Sequence, residues 1–425
     1  MDPKSLLLQA LAADQDSHVR LLQAFVQSPS PNPPGNTDAA AAVLTNYLRQ
    51  RNIPYDTITP QVGQPNVVSD FVGGNGPGPR VVLNGHMDVF PVGDTAADWD
   101  RDPWSGAIEG DRLHGRGVVD MKSGTAALVV AYAYLYARRA ELRGSVALCA
   151  VSDEETGGKW GTKFLLEADR QRWGGDVMLS AEPAGCGSVR FSEKGTLRMR
   201  CTVRTRGAHG AYTNLSKGAV RTAAAFIEQV VPAVEGLSFH LPDDMAAQLR
   251  QPAVRRTIDA IMGPGTADVI ARPTVNVSII QGGGPAINVI PDTCTVSLDI
   301  RMPVGLTRKE VLAAIEGIVA THSDATIELD VIEPASNPAS YSTLSHPMLA
   351  LLADNAAALD PDSEAPPPIP SMGATDCKHY RYAGIPAYVY GCSPMTMAQV
   401  NESGSIREFL HVTKVHASAV WDFLQ

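Results

Sequence analysis

Cysteine is scarce in this 425-residue chain, and its six copies (Cys149, Cys186, Cys201, Cys294, Cys377 and Cys392) show no short paired spacing. That pattern argues against zinc knuckles and a disulfide framework, and the mostly apolar surroundings predict buried free thiols. Basic residues are also in deficit: 35 Lys and Arg against 45 Asp and Glu leave a net charge of −10. A nucleic-acid partner needs clustered Lys and Arg and is not expected. The substrate stays open, because an acidic protein can carry a locally positive site. No apolar run reads as long enough to span a bilayer, so no membrane partner is expected either. The opening stretch, MDPKSLLLQALAADQDSHVRLLQAF, lacks the basic start, unbroken apolar core and cleavage site of a secretion signal. It reads as an amphipathic helix, and the expected location is the cytoplasm.

The length predicts two domains, and 44% hydrophobic with 19% charged residues describe a globular chain. Strands and helices alternate through the first half. The helix AAAAVLTNYLRQ, capped by Thr37 or Asp38, follows a Pro-rich break, SPSPNPPGNT. The apolar strands RVVLNG, GSVALCAVS and DVMLSA are interleaved with the helices TAALVVAYAYLYARRAEL and GTKFLLEA. Such alternation predicts an α/β fold, a sheet with helices on both faces. From about Lys194 the strands TLRMRCTVRTR, TVNVSII and CTVSLDIRM surround helical stretches, which predicts a smaller α+β domain inserted at 195–334. The first pattern resumes beyond it, so residues 1–194 and 335–425 are expected to form the other domain.

The polar residues fall at the strand ends. RVVLNG runs into His86, with Asp88 two positions on; GSVALCAVSD runs into Glu154 and Glu155; DVMLSA runs into Glu182. Ligands bind at the carboxyl ends of strands in open α/β sheets. Asp120, opening a helix in GRGVVDMKSGTAALVV, can point into the same crevice. Singly, each residue has a bland reading: a satisfied His, a solvated Glu pair, a helix cap. Jointly those readings fail, because several carboxylates converging on one crevice repel unless protons or a cation intervene. A divalent metal resolves the conflict, and His with carboxylates and no thiolate suits zinc, manganese or cobalt. Asp88 stands where a carboxylate orients a ligand imidazole, and Glu154 fits a general base.

With these residues in place, the chain resembles the aminoacylase-type metallopeptidases, a family that includes acetylornithine deacetylase, succinyl-diaminopimelate desuccinylase and glutamate carboxypeptidases. GHMDVFP, WSGAIEGDRLHGRGVVDMK, SDEETGG and AEP match in order and spacing, followed by GAHG, GGGPAINVIPD, LDIR, GATD and a terminal VNE. The resemblance implies a zinc-peptidase-like catalytic domain with a mixed sheet, and an inserted domain that forms a homodimer or higher homo-oligomer. It implies His86, Asp120 and Glu182 on one metal, with Asp120 bridging to a second held partly by Glu155. Asp88 would support His86, Glu154 would be the base, and His209 would reach into the partner subunit's site. Asn288 and Arg301 would bind substrate, Arg301 through a carboxylate, and Gly373 and Thr375 would line the pocket.

One position departs from the family pattern. The last ligand of the second metal is a His three residues before the terminal Asn-Glu, and here that slot is Ala398. Cys377, His379 and Cys392 are the nearby residues able to compensate. The expectation is therefore one metal per chain and a changed C–N bond. The Tyr-rich segment CKHYRYAGIPAYVYGCSPMTMAQVNE is similar to the family's aminohydrolases, which replace an aromatic amino group by hydroxyl and release ammonia. The specific expectation is hydrolytic deamination of a small aromatic acid such as 5-nitroanthranilate. A two-metal deacylase or dipeptidase is the alternative, and a non-enzymatic binding protein a third.

Overall fold

The structure, a computed structural model, describes residues 2–425. The apolar strands assemble into a nine-stranded mixed sheet. Its centre is parallel: Arg80–His86 lies between Ser145–Val151 and Val177–Ser180, and Ala387–Val389 runs parallel to the last of these. Asp56–Gln61 and Gln64–Val72 extend one edge antiparallel, while Val189–Glu193, Ser340–Tyr341 and Pro368–Ser371 build the other. The central strands are unbroken apolar runs because helices cover both of their faces. Successive side chains alternate between the two sides. Val81, Leu83 and Val146 enter one buried cluster, and Val82, Ala147 and Cys149 enter another.

Helix Ser123–Ala137 is buried along nearly its whole length and packs against the C-terminal helix Ile406–Phe423. It corrects one reading of the sequence. Val118–Ala137 is long and apolar enough to cross a bilayer, yet 94% of its apolar window lies inside the molecule.

A second, four-stranded antiparallel sheet takes Thr274–Gly282, Thr293–Met302, Gly195–Arg204 and Thr326–Val331 in that order. Its inward residues Cys294, Val296, Leu298 and Ile300 meet Ala223, Phe226 and Val230 of helix Ala219–Glu235 in a separate core. Helix Arg308–Val319 begins at a capping box, with Thr307 and Glu310 satisfying each other's backbone N–H groups. The edge strand Thr274–Gly282 leaves Ile279 and Ile280 half-exposed, at 52% and 54%. The helices Asp243–Leu249, Pro252–Met262 and Thr266–Val269 lie between these strands in sequence but not in space. Their Met245, Leu249, Val254, Ile258 and Ala267 pack with the larger core.

Candidate metal centre and active site

His86 ends the strand Arg80–His86 at the carboxyl edge of the large sheet. Gly85 precedes it because the neighbouring helix runs too close for a side chain: a Cβ there would stand 2.7 Å from Thr125 Oγ1. That hydroxyl donates to the His86 carbonyl oxygen at 2.6 Å. Asp120, in the turn entering the helix, brings Oδ1 to 3.2 Å from His86 Nε2. Glu182, two residues beyond Val177–Ser180, brings Oε1 to 3.6 Å from the same nitrogen. Gly391 makes room for that backbone, since a Cβ there would meet the Glu182 carbonyl oxygen at 2.0 Å.

Glu154 and Glu155 open a single turn, Glu154–Thr156, after strand Ser145–Val151. Asp88 fastens this turn: its carboxylate accepts the N–H groups of Glu154 (3.3 Å) and Glu155 (3.1 Å) and the Asn32 amide (2.8 Å). Asp88 also meets the imidazole, chiefly through its backbone. His86 Nδ1 lies 2.8 Å from the Asp88 carbonyl oxygen and 3.4 Å from Oδ1. Lys378, buried, holds Nζ 3.7 Å from Glu154 Oε1 and donates to the Thr375 carbonyl oxygen. His86, Glu154 and Glu182 each offer a ligand atom within 4.8 Å of the others. Glu155 Oε1 is buried without a hydrogen-bond partner.

Burial and like charge push these carboxyl groups toward their protonated forms. Burial, reinforced by Glu182, raises Glu154 well above the usual carboxylate range, although Lys378 and His86 oppose it. Burial raises Glu155 to about 9, with Asp120 adding to the effect, and raises Glu182 to about 7. On His86 burial disfavours charge, but Glu182, Asp120 and Asp88 outweigh it and the imidazole pKa lies well above its ordinary value. Several anionic donors aimed at one imidazole, with one carboxylate oxygen orphaned, fit a divalent cation, which would replace the protons. Such a metal is expected here.

The cluster opens on a cavity of about 490 Å³ lined by Asp120, Glu154 and Glu182 and by apolar Ile261, Met262 and Met372. Gly373 and Thr375 line it as well, Thr375 Oγ1 donating to Glu193 Oε1 at 2.6 Å. Three other sequence candidates lie away from it. His209 is exposed on the smaller sheet's side, in a groove with Gly283, Gly284 and Val289, beside exposed Asn288. Arg301 is half-buried in Thr293–Met302 and pairs with Asp299 at 2.9 Å. Ala398 lies in an exposed loop, and among the described residues no imidazole or thiol other than His86 joins the carboxylates. Cys377 is buried against Met178, Cys392 belongs to the main core, and His379 bonds the Gly157 carbonyl oxygen.

Several supporting residues escaped the sequence reading. Asn32 comes from the Pro-rich break, 56 residues before its partner Asp88. Glu402 was visible as part of the terminal VNE, but its task was not. Its buried carboxylate accepts Arg116 Nη1 at 2.7 Å and the Val119 N–H at 2.9 Å, and so fixes the turn that carries Asp120.

A mixed α/β sheet whose strand ends present this donor set defines a metal-dependent hydrolase of C–N bonds. Residues 82–422 match the family described as Peptidase family M20/M25/M40, and the chain belongs to it. It is 26% identical over 408 residues to a succinyl-diaminopimelate desuccinylase of Methylobacterium radiotolerans, spanning 94% of this chain and 95% of that protein. The fold is similar to that of an M20 family metallo-carboxypeptidase from Sulfolobus solfataricus (TM-score 0.76, 18% identity, 96% and 99% of the two chains). It is also similar to that of human carnosine dipeptidase 1 (TM-score 0.73, 15% identity, 100% and 99%).

Proposed function

We propose that this chain uses one divalent ion per subunit, zinc, manganese or cobalt, to hydrolyse a C–N bond in a small substrate that carries a carboxylate. The observation that carries the reading is the cluster of His86, Asp120, Glu154 and Glu182 on one cavity, with Ala398 where a second site needs a His. His86, Asp120 and Glu182 would hold the ion, with Glu155 beside them. The ion supplies Lewis acidity and lowers the pKa of water. Glu154 takes the proton from water, holds it on a carboxylate oxygen and passes it to the departing nitrogen. Asp88 keeps the Glu154 turn and the imidazole in register. Elemental analysis of purified protein is expected to give one tight divalent ion per chain. Two fully occupied sites about 3.5 Å apart would contradict it.

Two substrate readings follow. Amide hydrolysis of an acyl-amino acid or dipeptide is supported by the names of the relatives. Removal of an amino group from an aromatic acid, with 5-nitroanthranilate as test compound, is favoured by Ala398 and by the apolar wall of Ile261, Met262 and Met372, which suits a ring. Metal-loaded enzyme offered both classes separates them: ammonia with a hydroxylated ring marks the second, a released acid or amino acid the first. Turnover of neither class by loaded enzyme overturns the hydrolase assignment.

Residues 195–334, apart from the helices spanning 243–269 that pack with the larger core, act in this reading as a dimerisation domain. Exposed Ile279 and Ile280 on an open strand edge and the distance of His209 and Asn288 from the cavity of their own chain support it. His209 then serves the partner subunit's site. Mixing His209→Ala chains with Glu154→Gln chains is expected to restore part of the activity, since one site of a hybrid dimer is intact. No recovery after demonstrated subunit exchange refutes the sharing. Six unpaired cysteines, five of them buried, accord with a cytoplasmic location.

A further inference from the structure

The catalytic cavity contains a cation that the chemistry above does not use. Arg190 lies in the strand Val189–Glu193 and is only 4% exposed, yet it lines the same cavity as Asp120, Glu154 and Glu182. Its hydrogen-bond partners among the described residues are the Pro370 carbonyl oxygen (2.9 Å), the Ala184 carbonyl oxygen (2.7 Å) and, weakly, Met262 Sδ (3.6 Å). None of these is acidic, and Nε has no partner at all. Burial alone pulls the pKa down to about 9, so the group is still charged at neutral pH.

A buried guanidinium without a counter-charge is costly, and such groups persist where an anion completes them. The two carbonyl bonds hold the planar fork in place before any ligand arrives. This is the condition under which an arginine takes a carboxylate with little loss of side-chain entropy. The cavity is thus lined by anionic donors and by a fixed cation, together with apolar Ile261 and Met372.

We propose that Arg190 is the anion anchor of the active site, holding a substrate carboxylate within the same subunit. The inference rests on the reading of this cavity as the substrate site of a C–N hydrolase and deepens it. Arg301, the residue the family resemblance assigns to a carboxylate, is already paired with Asp299. Arg190 needs no partner subunit and no closure of the inserted domain to reach the cavity. It selects substrates that carry a carboxylate.

The test is a binding measurement, so its outcome does not depend on which C–N bond is cut. Calorimetric titration of metal-loaded enzyme with benzoate and with its neutral analogue benzamide is expected to show a preference for benzoate. Arg190→Met is expected to weaken benzoate on the order of tenfold to a hundredfold, the usual worth of a hydrogen bond to a charged group, and to leave benzamide unchanged. Arg190→Lys, which keeps the charge but not the fork, is expected to fall between. It keeps the question open to refutation should Arg190→Met fold poorly. A merely structural arginine would instead lower the melting temperature while both variants retain the benzoate preference. Equal affinity of the wild type for the two probes overturns the proposal. So does benzoate binding that survives Arg190→Met, or a preference lost in Arg301→Met and not in Arg190→Met.

Discussion

Glu154→Gln is expected to lower kcat by on the order of a hundredfold or more, the typical contribution of a positioned proton-transfer group, while the chain keeps its metal. The side chain is isosteric, the Asp88 bond to the residue 154 N–H is made by the backbone, and Lys378 stays beside it. What is lost is the ability to accept a proton. The geometry makes metal content the decisive companion measurement, because Glu154 lies within ligand distance of His86 and Glu182. Full metal occupancy with collapsed turnover identifies Glu154 as the base. Loss of metal in step with activity identifies it as a ligand, and near-normal turnover removes it from both roles.

The second large effect is on stability. Arg116 and Glu402 form an ion pair with side chains only 3% and 1% exposed. Glu402→Ala leaves the Arg116 guanidinium buried without its carboxylate and frees the Val119 N–H. Removing one partner of such a pair costs about 3–5 kcal/mol, which thermal denaturation reads as a clear fall in the unfolding midpoint. Because Val119 adjoins Asp120, metal affinity is expected to fall too. Glu402→Gln keeps one acceptor oxygen but turns an amide NH2 toward the other donor, and is expected to recover only part of the loss. A midpoint unchanged in Glu402→Ala would show that the turn holds itself.

The cluster at the strand ends was legible because its members obey local rules. His86, Glu154 and Glu182 each follow an apolar strand, and strands of a parallel sheet point their carboxyl ends at one crevice. CTVSLDIRM was legible as a strand, and the structure buries every second residue of it, since one face of the sheet meets helices and the other does not. The core helix Ser123–Ala137 illustrates the limit. With the turn before it, Val118–Ala137 resembles a membrane span by length and composition, and only its covering by other elements shows otherwise.

Arg190 was hidden for a different reason. A single charge in the short run SVRFSEKG carries no signal of whether it meets solvent, an acid or a cavity, and that depends on Pro370, 180 residues away. The Asn32–Asp88 bond and the Arg116–Glu402 pair are likewise long-range, separated by 56 and 286 residues. So is the return of helices 243–269 to the larger core, which places Ile261 and Met262 on the cavity wall. Residue type and period, which are local, thus determined the elements and the donor set at the strand ends. Tertiary packing alone decided which remote groups brace that set, which charge lines the cavity and which candidates stay outside it, because burial and hydrogen-bond pairing are properties of three-dimensional neighbours.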